Sequence, residues 1–166
     1  MSDIPLHAAL VHLPLGLSIA TPLLAGLGLA GWWRGLLPKN AFGLAVVAQG
    51  LLVVSAFAAM STGEDEEEIV EAIVDHEIIH EHEEWAESFS YTSVLALALM
   101  GGAMAVRRED YARYTALGGI VVGVAATGLA LVAGHEGGEL VYAHGAARAY
   151  TDDLPAHTNH DAGGAR

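Results

Sequence analysis

Four stretches of the chain show almost no polar face. They run from Ala8 to Gly31, Ala41 to Thr62, Ser88 to Val106 and Thr115 to Gly134, and none contains Lys, Arg, Asp or Glu. A helix needs about 17–25 apolar residues to cross a hydrocarbon core of ~30 Å, and each stretch is of that length. Helices of a soluble hairpin would turn a polar stripe to water once per turn, and these do not. The pattern predicts an all-α fold: an integral membrane four-helix bundle with spans at 8–31, 41–62, 88–106 and 115–134.

The segments between the spans refine this reading. Gly63 to Glu87 opens on Glu64, Asp65, Glu66, Glu67 and Glu68, acids suited to a helix N-terminus. Ile69, Val70, Ile73 and Val74 follow at helical spacing, so an amphipathic acidic helix is expected on the membrane surface between spans two and three. Residues 1–147 form the membrane domain, and the polar, aperiodic stretch 148–166 is expected to be a disordered tail. Pro14 and Pro22 remove backbone donors in the first span and predict a kink there. Gly119 and Gly123 form a small-xxx-small pair suited to close helix packing. The first span lacks a basic leader, with Asp3 where Lys or Arg would stand, and is expected to be a permanent helix rather than a signal peptide.

Composition adds exclusions. Only 16% of residues are charged against about 25% in soluble domains, and the net charge is -13 with seven Lys and Arg. Such a chain has no basic stripe for phosphates, so no nucleic-acid partner is expected. With no cysteine, disulfides, thiolate zinc sites, Cys-ligated iron–sulfur clusters and covalently attached haem are excluded.

Charge also predicts orientation. Arg34 and Lys39 lie in the loop after span one, and Arg107, Arg108 and Arg113 around the loop after span three. By the positive-inside rule these loops face the cytoplasm, so a multi-pass protein of the cell's inner membrane is expected, with both termini outside. Trp32, Trp33, Tyr111 and Tyr114 then mark the inner interface, and Trp85, Tyr91 and Tyr142 the outer. All nine histidines fall outside, as do all carboxylates except Glu109 and Asp110.

Chemistry is therefore sought at the outer surface. His12 sits within an apolar run, where a polar side chain is a functional candidate or a hydrogen-bonding partner of a neighbouring helix. His76, Glu77 and His80 spell His-Glu-x-x-His, the zinc-peptidase spacing, in a segment so rich in Glu and His that a solvated acidic helix fits equally. Glu77, Glu81 and Glu84 make a second stripe. His135 is expected to end span four, with Gly137 and Gly138 making a sharp turn and Glu139 and His144 within reach. Mixed His and carboxylate ligands suit zinc, manganese, non-haem iron or copper, whereas two histidines on facing helices suit a b-type haem.

The segments Pro5-Leu6-His7-Ala8-Ala9-Leu10-Val11-His12-Leu13-Pro14 and Gly134-His135-Glu136-Gly137-Gly138-Glu139-Leu140-Val141-Tyr142-Ala143-His144-Gly145 resemble an uncharacterised prokaryotic membrane-protein family, a domain of unknown function. Its start reads Pro-Leu-His-Pro-x-x-Val-His-Phe-Pro, so Ala8 and Leu13 depart from it, while the end matches throughout. The resemblance covers about residues 5 to 145. It implies four spans, matching positions His7, His12, His135 and His144, and a histidine before span three at His80 or His82. Related domains occur alongside cytochromes, which implies a redox setting.

The expected centre is a histidine-based metal or haem site near the outer face, used in electron transfer. Its expected ligands are His12, His80 and His135, with His7, His76, His82, His144, Glu77, Glu84 and Glu139 as alternates or as partners that orient them. The expected partners are the lipid bilayer and a periplasmic or membrane redox protein, with a homo-oligomer left open. Divalent-metal binding or transport, a membrane metallopeptidase built on His76, Glu77 and His80, and a structural subunit of a membrane complex are the rival readings.

Overall fold

The computed structural model describes residues 6–150. A short helix α1 (Leu6–Leu10) leads into α2 (His12–Trp33), followed by α3 (Gly43–Val70), α4 (His76–Ala105) and α5 (Glu109–Tyr142). Short 3-10 turns, Lys39–Phe42 and Ala146–Tyr150, precede α3 and follow α5. Leu6–Trp33, Lys39–Val70, His76–Ala105 and Glu109–Tyr142 are each long and apolar enough to cross a membrane. They alternate up and down, and each of α2 to α5 packs on its two neighbours in a closed ring.

The bundle interior is built from small side chains. Ala25, Ala45, Ala56, Ala96, Ala103, Ala116 and Ala126 are buried, with Ser18, Thr21, Gln49, Ser90 and Ser93 among them. The large aliphatics Leu23, Leu27, Leu44, Val54 and Val121 point outward and are more than half exposed. In water this arrangement would waste the hydrophobic effect. In lipid it is the expected one, because small residues let backbones approach and large ones meet acyl chains. Polar groups inside tie helices together: Gln49 Nε2 donates to the carbonyl of Ser93 at 3.0 Å, and Thr127 Oγ1 donates to that of Ser18.

Glycine acts where helices approach most closely. A Cβ on Gly119 of α5 would lie 2.6 Å from Met100 Cγ and 3.0 Å from the Met100 nitrogen of α4. Gly123, one turn on, faces Pro22 of α2. The small-xxx-small pair thus serves α5 on two sides.

Three expectations need correction. No separate surface helix lies between spans two and three. Instead α3 runs past Thr62 to Val70, and α4 already begins at His76. Glu64, Glu66, Glu67 and Glu68 are good helix formers that continue an established helix, and Asp75 starts the next by accepting from the backbone of Glu77 at 3.2 Å. The acids therefore crowd the C-terminal end of α3, where the helix dipole disfavours them, rather than an N-terminus. Similarly, α5 does not stop near Gly134 but continues to Tyr142, with Gly137 and Gly138 inside it. Positive φ occurs at Gly35 and Gly145 instead, in the turns that leave α2 and α5.

The helical path continues through Val11, whose φ of -59° and ψ of -24° are helical: its N–H donates to the His7 carbonyl at 3.1 Å, and Leu15 N–H donates to the Val11 carbonyl at 3.2 Å, so Pro14 removes one donor without ending the helix. Of the expected polar tail, Arg148 to Tyr150 belong to the second 3-10 turn. The rest, including His157 and His160, lies outside the described residues.

Candidate functional site

Beyond residues 62, 88 and 134, helices α3, α4 and α5 extend by 8, 12 and 8 residues, or ~12 to ~18 Å at 1.5 Å per residue. These extensions carry the histidines and acids. A cluster of Val74, Ile79, Leu140 and Ala146 roofs them, while Leu52, Ala56, Phe89, Ala126 and Ala130 form the core below.

Two histidines meet in the layer between. The rings of His7 on α1 and His82 on α4 stand 6.3 Å apart, centre to centre, at 87°. Nδ1 of His7 lies 2.8 Å from the carbonyl oxygen of Ala59 on α3, and Nδ1 of His82 lies 3.0 Å from that of Ala133 on α5. A carbonyl only accepts, so both Nδ1 atoms carry the proton. In each neutral ring Nε2 then holds the lone pair, and among the described residues no hydrogen bond reaches either Nε2.

Glycine makes the room. A Cβ on Gly63 would stand 3.2 Å from Cε1 of His7, and one on Gly137 would stand 3.0 Å from Cε1 of His82. Gly137, expected with Gly138 to turn the chain, instead lets α5 pass beside an imidazole.

Glu66 fastens the chain ends over this layer. One carboxylate oxygen accepts the backbone N–H of His7 at 3.2 Å, and the other accepts the hydroxyl of Tyr150 at 2.9 Å. Burial, reinforced by the bond to this carboxylate, pushes the Tyr150 hydroxyl up to about 12.

Among the described residues, no hydrogen bond, ion pair or ring contact joins the three expected ligands to one another. His12, His80 and His135 are all exposed, and helical phase is the reason. In α2 the buried face runs through Pro14, Ser18 and Thr21, and His12 lies about 200° from Pro14. In α5 it runs through Ala126, Ala130 and Ala133, and His135 lies about 200° from Ala133. His80 lies about 100° from buried Ile79, and its nearest carboxylates are those of Glu83 and Glu84 at 3.8 and 3.5 Å. Among the described residues His135 pairs with Glu139, at 3.3 Å. His144 is exposed in the turn after α5.

His76 and His80 share a helical face as expected, with rings stacked 6.1 Å apart and 9° from parallel. Both are exposed, as is Glu77. The carboxylates that reach His76 come from α3 and the turn: Glu71 at 2.7 Å and Glu67 at 3.8 Å. The potential ligand atoms of Glu67, Glu71 and His76 all lie within 4.8 Å of one another. Glu84 sits on the same exposed surface.

The pair His7 and His82 was within reach of the sequence. The inward stripe Ser93, Phe89, Ala86 of α4 extends back to His82. Likewise Leu52, Ala56 and Ala59 of α3 extend to Gly63 and Glu66, and Ala126, Ala130 and Ala133 of α5 extend to Gly137.

Comparison with known proteins places the chain among membrane proteins. No curated protein and no solved structure matches it. A family model does match, over residues 3–149, nearly the whole described bundle and both histidine-bearing segments. The chain belongs to the DUF2231 family of predicted membrane proteins.

Proposed function

We propose that His7 and His82 are the two protein ligands of one redox-active iron, held as a b-type haem, and that the protein passes electrons between the membrane and a redox partner on its outer side. The observation that carries this reading is the pair of Nδ1–H bonds to the carbonyls of Ala59 and Ala133. Metal-binding histidines are oriented in this way, with one nitrogen tied down and the other left as the ligand. Two imidazoles bound to one ion at ~2 Å each have centres roughly 5 to 6.5 Å apart, and the observed 6.3 Å falls in that range.

A haem iron would supply a one-electron couple at this position. The chain's own part is to hold both rings, to exclude water with the roof of Val74, Ile79 and Leu140, and to fix α1 through Glu66. The basic loops face the cytoplasm in this reading, and both chain ends face outward.

A second reading has one observation in its favour. Glu67, Glu71 and His76 gather potential ligand atoms at the tip of the α3–α4 turn and would suit a divalent cation.

Purification in mild detergent, with an absorption spectrum and elemental analysis, separates the two. Haem between His7 and His82 gives a Soret band and about one iron per chain, both retained in His76→Ala. A colourless protein whose bound metal is lost in His76→Ala overturns the haem reading in favour of the acidic turn.

A further inference from the structure

The end of the bundle opposite the histidines carries a groove that the redox reading does not use. It lies between α2 and α3, encloses about 230 Å³, and is lined by Leu24, Leu27 and Gly28 of α2, Leu44 of α3, and Leu37 and Phe42 of the connecting loop. Its walls are apolar, and Leu27 and Leu44 are more than half exposed, so it opens towards lipid. The connecting loop that closes one end holds Arg34 and Lys39.

The charge at that end is unlike the rest of the chain. Arg34, Lys39, Arg107, Arg108 and Arg113 stand against only Glu109 and Asp110, in a protein of net charge -13. Two of these cations are built into the structure. Lys39 Nζ donates to the carbonyl of Val106 at 2.6 Å, joining the two basic loops, and lies 5.8 Å from the centre of the Trp32 ring. Arg113 lies over the same ring at 5.5 Å, and its buried Nε has no acceptor. Arg34 is exposed, and its guanidinium has no partner among the described residues. Trp33 and Tyr114, in edge contact at 6.0 Å, mark the level of the membrane interface.

We infer that this groove holds the headgroup-proximal part of one acyl chain of an anionic phospholipid, with the lipid phosphate against Arg34 and Lys39. An apolar slot open to the bilayer accounts for the chain. Cations at the slot's headgroup end, with donor capacity to spare, account for the phosphate. A free phosphate would gain nothing from the apolar walls, and a zwitterionic lipid would gain little from the charge. The site is independent of any metal at the other end.

Native mass spectrometry of the full chain with equal amounts of phosphatidylglycerol and phosphatidylcholine tests the inference. Each cation near an anionic headgroup contributes a factor of roughly 5. Phosphatidylglycerol should therefore be retained at least about 5-fold over phosphatidylcholine, and Arg34→Gln should lose roughly 5-fold of that preference. Gly28→Leu, which fills the groove without touching a charge, should lose the bound lipid, and excess inorganic phosphate should leave it in place. Equal retention of the two lipids, an unchanged preference in Arg34→Gln, lipid retained in Gly28→Leu, or displacement by inorganic phosphate would each overturn it.

Discussion

Replacing His82 with alanine is expected to abolish cofactor binding and leave the bundle folded. His82 is half-buried in a layer bounded by Ala133 below and Leu140 above, so its loss leaves a small polar void rather than a collapsed core. Even partners that merely orient a metal ligand are worth 10–100-fold in affinity, so losing a ligand itself should exceed about 100-fold. His7→Ala should do the same, because it removes the other of the two proposed ligands. His12→Ala and His135→Ala should keep full cofactor content, since both residues are exposed and neither reaches the pair. Absorption and iron content per chain, measured beside circular dichroism, check all four. Retention of cofactor in both His7→Ala and His82→Ala, with loss in His12→Ala, would return the centre to the residues the sequence first suggested.

Gly119→Ala is expected to be the most damaging small substitution in the membrane part. The new methyl would approach Met100 Cγ to 2.6 Å, the Met100 nitrogen to 3.0 Å and the Ala96 carbonyl oxygen to 3.3 Å. The methionine side chain can turn away, but the two backbone atoms cannot. The α4–α5 contact, the most extensive in the bundle, must therefore open. Overpacking of this kind costs about 1–3 kcal/mol. Gly118→Ala is the matched control, because nothing lies within 4 Å of its Cβ position. There the better helix propensity of alanine acts alone, and the change should be neutral or slightly stabilising. Reversible unfolding of the two variants in detergent gives the comparison. Equal stability would mean that α4 and α5 do not approach as closely as described.

The spans were legible because lipid imposes a simple demand, namely a long uncharged run, and Ala8–Gly31, Ala41–Thr62, Ser88–Val106 and Thr115–Gly134 meet it. The helices beyond the membrane were harder to read. Gly63 was placed between helices and Gly137 in a turn, yet each lies inside a helix beside an imidazole from a neighbouring element. That contact is tertiary and leaves no local mark. The collection of histidines at one end followed from the topology, but which of them meet depends on helical phase. His12 drew attention as a polar residue within an apolar run, and His135 by the glycines that follow it. His82 was hidden in a run of Glu and His, where the inward position differs from its neighbours only by counting back from Ser93 and Phe89. His7 lies seven residues before buried Pro14, about two turns back on the same face, and helical bonds run through Val11, so its inward position was open to the same counting.

The arrangement of the two imidazoles is tested most directly by nitrogen NMR of histidine-labelled, metal-free protein, with His7→Ala and His82→Ala assigning the signals. Two rings protonated at Nδ1 and bare at Nε2 are expected, and on loading with cofactor both Nε2 signals should move together. Lone pairs found on Nδ1, or Nε2 signals that stay unmoved by loading, would contradict it.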